Sequence, residues 1–254
     1  MTLTLAALCG FSFLAGFIDS VAGGGGLVQL PALFVLMPQA APAVLLGTNK
    51  FAGIWGTAAA ATQYSRRVRM EWHTVLPACA AALIFAFAGA HTVSLLRADI
   101  LRPLILVLLG GVLLYTLWKK DLGALHAPRL TQRQQFWIGL ATGALLGFYD
   151  GFFGPGTGSF LIFAFVGLFG FSFLAASAAA KAVNVVTNFA ALGYFAFNGQ
   201  VFYTIALPMA ACNVAGSLLG ARLAIRKGSG FVRLLFVVIV GALMLRLVYD
   251  ALFM

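Results

Sequence analysis

The chain has 254 residues, of which 62% are hydrophobic and only 9% are Asp, Glu, Lys or Arg. Soluble domains carry about 25% charged residues, so this composition excludes an ordinary water-soluble domain and indicates that lipid is the solvent for most of the chain. The formal net charge is +10, but the Lys and Arg residues fall mainly in short segments between apolar runs, where positive charge sets membrane orientation. This distribution argues against a nucleic-acid partner.

The apolar segments come in two sets with the same internal order. Each set begins with a long stretch, residues 3–37 and 136–169, that is interrupted by AGGGG in the first set and by FGPGTGS in the second. Glycine and proline inside an apolar stretch predict a broken helix. Three runs long enough to cross a bilayer follow each broken stretch. The six predicted spans are residues 43–64, 74–96, 101–118, 174–197, 204–225 and 232–249.

A shift of 131 residues aligns the two sets without a gap, placing Asp19 on Asp150 and Lys50 on Lys181. The same shift also superimposes matching Gly, Pro and Arg positions. Apolar composition alone does not place such sparse residues in register, so the sequence predicts an internal duplication. Residues 1–118 form the first predicted transmembrane repeat, 119–135 a cytoplasmic linker and 136–254 the second repeat.

The positions of the basic segments predict the orientation of the two repeats. Positive residues mark the cytoplasmic side, and residues 66–69, 119–133 and 222–233 share one side only if the broken stretch of the second set makes no net crossing, as a hairpin does. Each repeat is then a Gly-rich hairpin plus three spans, the repeats are inverted, and both termini are periplasmic. The alternative is a single crossing by each broken stretch, which gives parallel repeats of four spans. Whether each hairpin is re-entrant or consists of two short spans stays open.

The two Gly-rich breaks predict an anion-binding site. A helix that starts after a glycine turn presents unpaired N–H groups and partial positive charge, and broken helices near the bilayer midplane mark transporter sites. The alternative is that these glycines only permit close helix packing. The substrate-binding residues predicted at the breaks are Gly24, Gly25, Gly26, Gly156, Thr157, Gly158 and Ser159.

Four ionisable residues lie within or at the edge of apolar segments: Asp19, Asp150, Lys50 and Lys181. A charge at that depth is costly and usually has a partner or a function. We interpret the lysines as substrate-binding residues. For the two aspartates, proton coupling and a structural role, in which each aspartate pairs with a lysine or with N–H groups of a break, remain equally open.

Asparagines accompany both lysines. Asn49 precedes Lys50, while Asn184 and Asn188 share one helical face with Lys181. This pattern predicts the lining of a transport pathway, with hydrogen bonding between helices as the alternative. The Cys and His spacing shows no metal-ligand pattern, and the sequence predicts neither a metal nor a cofactor.

The strings GFIDSVAGGGGLVQLPAL, LGTNKFAGIWGT, GFYDGFFGPGTGSF and AKAVNVVTN resemble the sulfite exporter TauE/SafE family, and the resemblance covers nearly the whole chain. It implies an all-α, multi-pass transporter of the bacterial inner membrane, with studied relatives that handle sulfite and organosulfonates. The motif positions of the family fall on Asp19, Lys50, Asp150, Lys181 and the two Gly-rich breaks.

These observations predict a secondary transporter that exports a small anion by alternating access, sulfite or an organosulfonate being the cargo that the resemblance suggests. An anion channel with the same positively lined pathway is the alternative. No HExxH or GxSxG motif is present, so an enzyme is not expected. The expected partners are the anion and the lipid bilayer, with proton coupling and a homodimer left open.

Overall fold

The computed structural model describes residues 2–96, 104 and 130–253, with side chains up to residue 228. Within these ranges the chain forms eight helices and no strand. Gly228 has φ 75° and ψ −171°, so it interrupts the last of them. The helices are α1 (Thr2–Ala22), α2 (Gly26–Leu36), α3 (Pro42–Ser65), α4 (Trp72–Ser94), α5 (Gln132–Phe152), α6 (Thr157–Gly167), α7 (Phe173–Phe197) and α8 (Tyr203–Phe253).

Four segments of the described chain are long and apolar enough to cross a membrane: Leu3–Ala22, Trp72–Ser94, Phe173–Phe197 and Tyr203–Gly228. The chain is therefore an all-α, multi-pass membrane protein. Helices α2 and α6 have 11 residues each. At 1.5 Å per residue each is about 16 Å long, which is too short to cross a hydrocarbon core of about 30 Å.

Most predicted spans coincide with helices, and two predicted segments lie partly or wholly outside the described residues. The predicted span 101–118 falls there except for Leu104, and so do residues 119–129 of the predicted linker. Helix α5 begins at Gln132, inside that linker. The early start follows from a capping box in which Thr131 accepts a hydrogen bond from the Gln134 backbone N–H and the Gln134 side chain bonds back to the Thr131 N–H.

The helix boundaries recur along the chain. Helices α6, α7 and α8 begin 131 residues after α2, α3 and α4, which is the shift that relates Asp19 to Asp150. Both Gly-rich segments end one helix and begin a short one. The breaks predicted from glycine and proline are therefore present at both sites.

Two pairs of helices pack side by side over much of their length. Helix α4 lies along α5, where a Cβ at Gly143, Gly147 or Gly151 would collide with backbone atoms of Ala78, Ala82 or Ala86 respectively. We call this interface the glycine seam. Helix α1 lies along α8 through Ser12, Gly16, Met209, Asn213 and Ser217, and we call it the polar seam. In both seams the residue numbers of the contacting pairs increase together, so the two helices of each seam run parallel.

Helices α3 and α7, and likewise α1 and α2, are antiparallel, because the start of one contacts the end of the other. A Cβ at Gly47, near the start of α3, would meet Phe195, near the end of α7. Tyr64, at the end of α3, belongs to the same core cluster as Ala178, near the start of α7. Along α1 and α2, Ser12 Oγ lies 3.3 Å from Gln29 Oε1, and Leu8 packs in one cluster with Leu33.

Three basic segments of the sequence lie beside one hydrophobic cluster, at one end of the helices. Val68, Met70, Leu130 and Ile225 all pack against this cluster, and each is adjacent to basic residues in the sequence. The basic residues near this end are Arg66, Arg67, Arg69, Arg133, Arg222, Arg226 and Lys227.

Candidate functional site

The two Gly-rich breaks lie against each other. The Ser159 backbone N–H donates to Gly23 O at 3.1 Å, and Ser159 Oγ donates to Ala22 O at 3.0 Å. Gly23 has φ 77°, in the left-handed region, and a Cβ there would collide with the backbone of Gly158. Only glycine fits at position 23, where the two breaks cross.

A polar cavity lies beside this crossing, with about 480 Å³ of empty space including its open side. Most of the residues predicted to bind substrate line it. Both aspartates predicted to act in proton coupling or structure also line it. The predicted residues at the cavity are Asp19, Gly25, Gly26, Asn49, Lys50, Asp150, Gly156, Thr157, Gly158, Asn184 and Asn188.

Three residues predicted to bind substrate do not line this cavity. Lys181 is fully buried behind Asp19. Ser159 uses both its hydroxyl and its N–H to hold the first break. A Cβ at Gly24 would face Leu27, Ser159 and Ile18. All three residues are adjacent to the site, but they contact the protein around it.

Two ion pairs join the two halves of the chain. Lys50 Nζ lies 2.9 Å from Asp150 Oδ2, and Lys181 Nζ lies 2.7 Å from Asp19 Oδ2. The side chain of Asp19 is 19% exposed, whereas the other three are 5% exposed or less. A lone charge at such depth is strongly destabilising, so each half supplies the counter-ion that the other half requires. Neither lysine is a free cation in this conformation.

The helix starts at the breaks retain unpaired donors. Thr157 Oγ1 donates to Gly154 O at 2.7 Å, so this hydroxyl is engaged within its own turn. The backbone N–H groups of Gly26 and Gly158 have no acceptor within the described residues. Both glycines line the cavity at the first turn of α2 and α6. N–H groups at a helix start attract negative charge.

Seven lining residues were not among the predicted site residues: Ala15, Gly23, Gln29, Gly53, Thr57, Gly154 and Asn213. Gln29 and Asn213 are each the only carboxamide within an otherwise apolar run, LVQLP and ACNVA, and that isolation was the available signal. Thr57 Oγ1 lies 3.4 Å from Asp19 Oδ2. The small residues Ala15 and Gly53 carried no signal in the sequence.

Five carboxamides, two helix starts and a set of paired charges therefore surround one cavity. This arrangement can hold a small polar anion by hydrogen bonds. The described part of the chain contains no group of three or more His, Cys, Asp and Glu residues placed to hold a metal ion.

Broken helices around a polar, ion-paired cavity in an apolar bundle are typical of multi-pass membrane transport proteins. The model of the sulfite exporter TauE/SafE family matches residues 8–247. The chain therefore belongs to this family of membrane transporters.

Curated relatives carry transporter names. A probable membrane transporter protein, ORF9, from Sinorhizobium sp. is 38% identical over 97% of this chain and 93% of its own length. The probable membrane transporter protein YfcA of Escherichia coli strain K12 is 35% identical over 98% of this chain and 91% of its own length. A probable membrane transporter protein of Haemophilus influenzae is 35% identical over 97% and 95%. No solved structure matches the chain.

Proposed function

We propose that this protein is a secondary transporter that exports a small anion by alternating access, and that the cavity at the two breaks is its substrate site. The unpaired N–H groups of Gly26 and Gly158 at two helix starts carry this proposal. Lys50 lines the same cavity, where it is paired with Asp150. Helix starts that face a midplane cavity bind anionic groups of substrates in other transporters.

The transport mechanism that we propose uses two inverted repeats, each a Gly-rich hairpin plus three spans. Three observations support it. The reversed contact order of Ser12 with Gln29 and of Leu8 with Leu33 fits a hairpin. The matched helices α3 and α7 meet in opposite order. The basic segments gather at one end, which we assign to the cytoplasm, with both termini on the periplasmic side of the bacterial inner membrane.

The cargo that we propose is sulfite or an organosulfonate. The description of the matching family model supports a sulfur oxyanion, while the curated relatives are named only as probable membrane transporters. The chemistry of the cavity supports the oxyanion part of this proposal, because its donors are neutral N–H and amide groups around one lysine.

Proton coupling through Asp19 or Asp150 belongs to the same proposal. Each carboxylate holds a lysine, so protonation of the carboxylate would release that lysine to face a substrate anion. The release would also remove a contact between the two halves, which is a requirement for rocking between inward and outward states. The proposal leaves open whether the transporter assembles as a homodimer, and crosslinking in native membranes tests this.

Counterflow in proteoliposomes tests the transporter proposal. Vesicles loaded with unlabelled sulfite should accumulate labelled sulfite transiently, because a carrier exchanges substrate across the membrane. An anion channel would give conductance without this overshoot. Lys50→Ala and Lys181→Ala should each abolish counterflow while protein remains folded in the membrane. Full counterflow in both variants would overturn the assignment of this cavity as the substrate site.

A further inference from the structure

We propose that Gln29 is a substrate-binding residue whose side-chain Nε2 donates a hydrogen bond to a singly charged oxyanion, and that Asn213 positions it. This inference rests on the proposed function. It goes further because it assigns a role to a residue that the sequence analysis did not single out, and because it fixes the charge of the substrate as that of hydrogen sulfite or an organosulfonate.

The orientation of the Gln29 amide follows from a fixed point in the backbone. Asn213 Nδ2 donates to Ser12 O at 3.1 Å and to Gln29 Oε1 at 3.0 Å. A backbone carbonyl only accepts hydrogen bonds, so it fixes which end of the Asn213 amide is the donor. That donor in turn fixes the Gln29 oxygen, and the Gln29 Nε2 group is directed away from Asn213.

The donor of Gln29 is left without a good partner. Its nearest acceptor is Asn49 O at 3.5 Å, beyond the usual range of 2.7–3.2 Å for N–H···O bonds. Gln29 is only 2% exposed, and it lines the cavity. A buried donor with so weak a bond destabilises the empty site. An anion oxygen in the cavity would remove this cost and form a charge-assisted bond.

A second buried amide faces the same cavity. Asn184 is 5% exposed, and its Oδ1 has no hydrogen-bond partner. It lies against Gly158, where a Cβ would come within 2.9 Å of Asn184 Nδ2. The weakly bonded Nε2 of Gln29, the unpaired oxygen of Asn184 and the unpaired N–H groups of the helix starts favour a polar occupant, because buried polar groups are normally paired.

The charges around the cavity limit that occupant to one negative charge. Lys50 and Lys181 are each neutralised by an aspartate of the other half. The remaining donors are neutral. Because the cost of removing an ion from water rises with the square of its charge, a dianion costs roughly four times as much to bury as a monoanion. The cavity therefore favours a monoanion over sulfate.

A role in helix packing alone does not account for the Gln29 network. The shift of 131 residues matches Ser12, Gln29 and Asn213 with Gly143, Phe160 and Ala82. The corresponding α4–α5 contact is made by Gly143 against Ala78 and by Gly147 against Ala82, without polar side chains. The arrangement of helices therefore does not require the amides, and their position at the cavity points to a ligand.

The test measures anion binding by purified protein in detergent, through the unfolding temperature, because a ligand of the native state stabilises it. The probes are sodium methanesulfonate, sulfite at mildly acidic pH, and sodium sulfate, each at constant ionic strength. The wild type should bind the first two and bind sulfate at least about tenfold more weakly. Gln29→Met, which keeps the length of the side chain, should weaken methanesulfonate binding about tenfold or more, as loss of a hydrogen bond to a charged group does.

Two further variants keep the result interpretable. Gln29→Glu should lose binding as well, since its carboxylate repels the anion, and it replaces Gln29→Met if that variant does not fold. Phe160→Met changes the matched position in the other half and should retain wild-type affinity.

The outcomes separate the two proposals. A wild type that no probe stabilises contradicts both the proposed function and the role of Gln29. If the wild type binds methanesulfonate and a folded Gln29 variant binds it within about twofold, the role of Gln29 is wrong while the anion site stands. Sulfate binding as tight as methanesulfonate binding would overturn the assignment to monoanions.

Discussion

The glycine seam and the polar seam each join a helix of the first half to a helix of the second, and the shift of 131 residues relates one seam to the other, yet different contacts hold them. In the glycine seam, backbones approach closely through Gly143, Gly147 and Gly151. At the matched positions the polar seam has Ser12, Gly16 and Ser20. Its contacts include hydrogen bonds from Ser12 Oγ to Met209 O at 2.7 Å and from Ser217 Oγ to Gly16 O at 3.1 Å.

The difference separates what the fold requires from what the site requires. Close packing of small residues can join two membrane helices, and at Gly143, Gly147 and Gly151 the glycine seam relies on such packing. Hydrogen bonds between membrane helices contribute only about 0.6 kcal/mol on average. The polar seam therefore gains little stability over its counterpart, and its amides extend into the cavity through Gln29 and Asn213. Close packing is common to both seams, whereas the carboxamides of Gln29 and Asn213 accompany the polar seam alone.

The largest expected effect concerns the ion pairs, which both halves share. Lys50→Met leaves Asp150 buried without its cation and should lower the free energy of unfolding by about 3–5 kcal/mol. Lys181→Met should cost less, because the Asp19 side chain is 19% exposed and can be hydrated. Unfolding in detergent by titration with sodium dodecyl sulfate, followed by circular dichroism, measures both.

The double variant Lys50→Met/Asp150→Leu is the control for this prediction. It should recover most of the lost stability, since an apolar pair can replace a buried ion pair, but it should not recover transport. Equal losses for Lys50→Met and Lys181→Met would show that the two pairs are energetically equivalent despite their different exposure.

The next effect tests the glycine seam. Gly151→Val places a side chain against the Ala86 backbone, and it should lower the free energy of unfolding by about 1–3 kcal/mol through overpacking. Gly193→Val is the matched control, because a Cβ at Gly193 has no neighbour within 4 Å. The same sodium dodecyl sulfate titration applies. A Gly151 variant as stable as the control would mean that close backbone approach does not hold this seam.

A smaller effect is expected when the polar seam is made to resemble its counterpart. Asn213→Ala introduces the residue found at the matched position, Ala82, and removes the bonds to Ser12 O and Gln29 Oε1. We expect a loss of about 1–2 kcal/mol in the free energy of unfolding and weaker methanesulfonate binding in the unfolding-temperature assay. Unchanged binding in a folded variant would contradict the positioning role of Asn213.

The smallest effect concerns Tyr64, whose matched residue is Phe195. Both side chains are fully buried, and Tyr64 Oη donates to Ser20 O at 2.9 Å. Tyr64→Phe should therefore lower the free energy of unfolding by only about 0.5–1.5 kcal/mol. The reverse change, Phe195→Tyr, buries a hydroxyl at the matched position. A stability gain in Phe195→Tyr would show that a bond partner is available in the second half as well.

Sequence patterns predicted the parts of the site that are chemically unusual in a membrane. The charges at Asp19, Lys50 and Asp150 and the glycine breaks stood out against an apolar background, and all line the cavity. The family membership and the helical membrane fold were also predicted correctly. The helix starts followed because Pro and Gly limit backbone conformation locally.

The rest depends on contacts between distant segments. Which aspartate meets which lysine is decided by the packing of the two halves, and no local pattern encodes it. The same packing buries Lys181 and leaves Lys50 at the cavity, although the sequence treats them as equivalent. Gln29 and Asn213 were missed because a neutral amide in an apolar run is a weaker signal than a charge, and because they come from helices far apart in the chain.

The exchange of ion-pair partners has a consequence for how the chain is made. During synthesis the first half enters the membrane with Asp19 and Lys50 before the ribosome has supplied Lys181 and Asp150, with which they pair in the folded protein. The two ion pairs therefore form only after the second half is inserted.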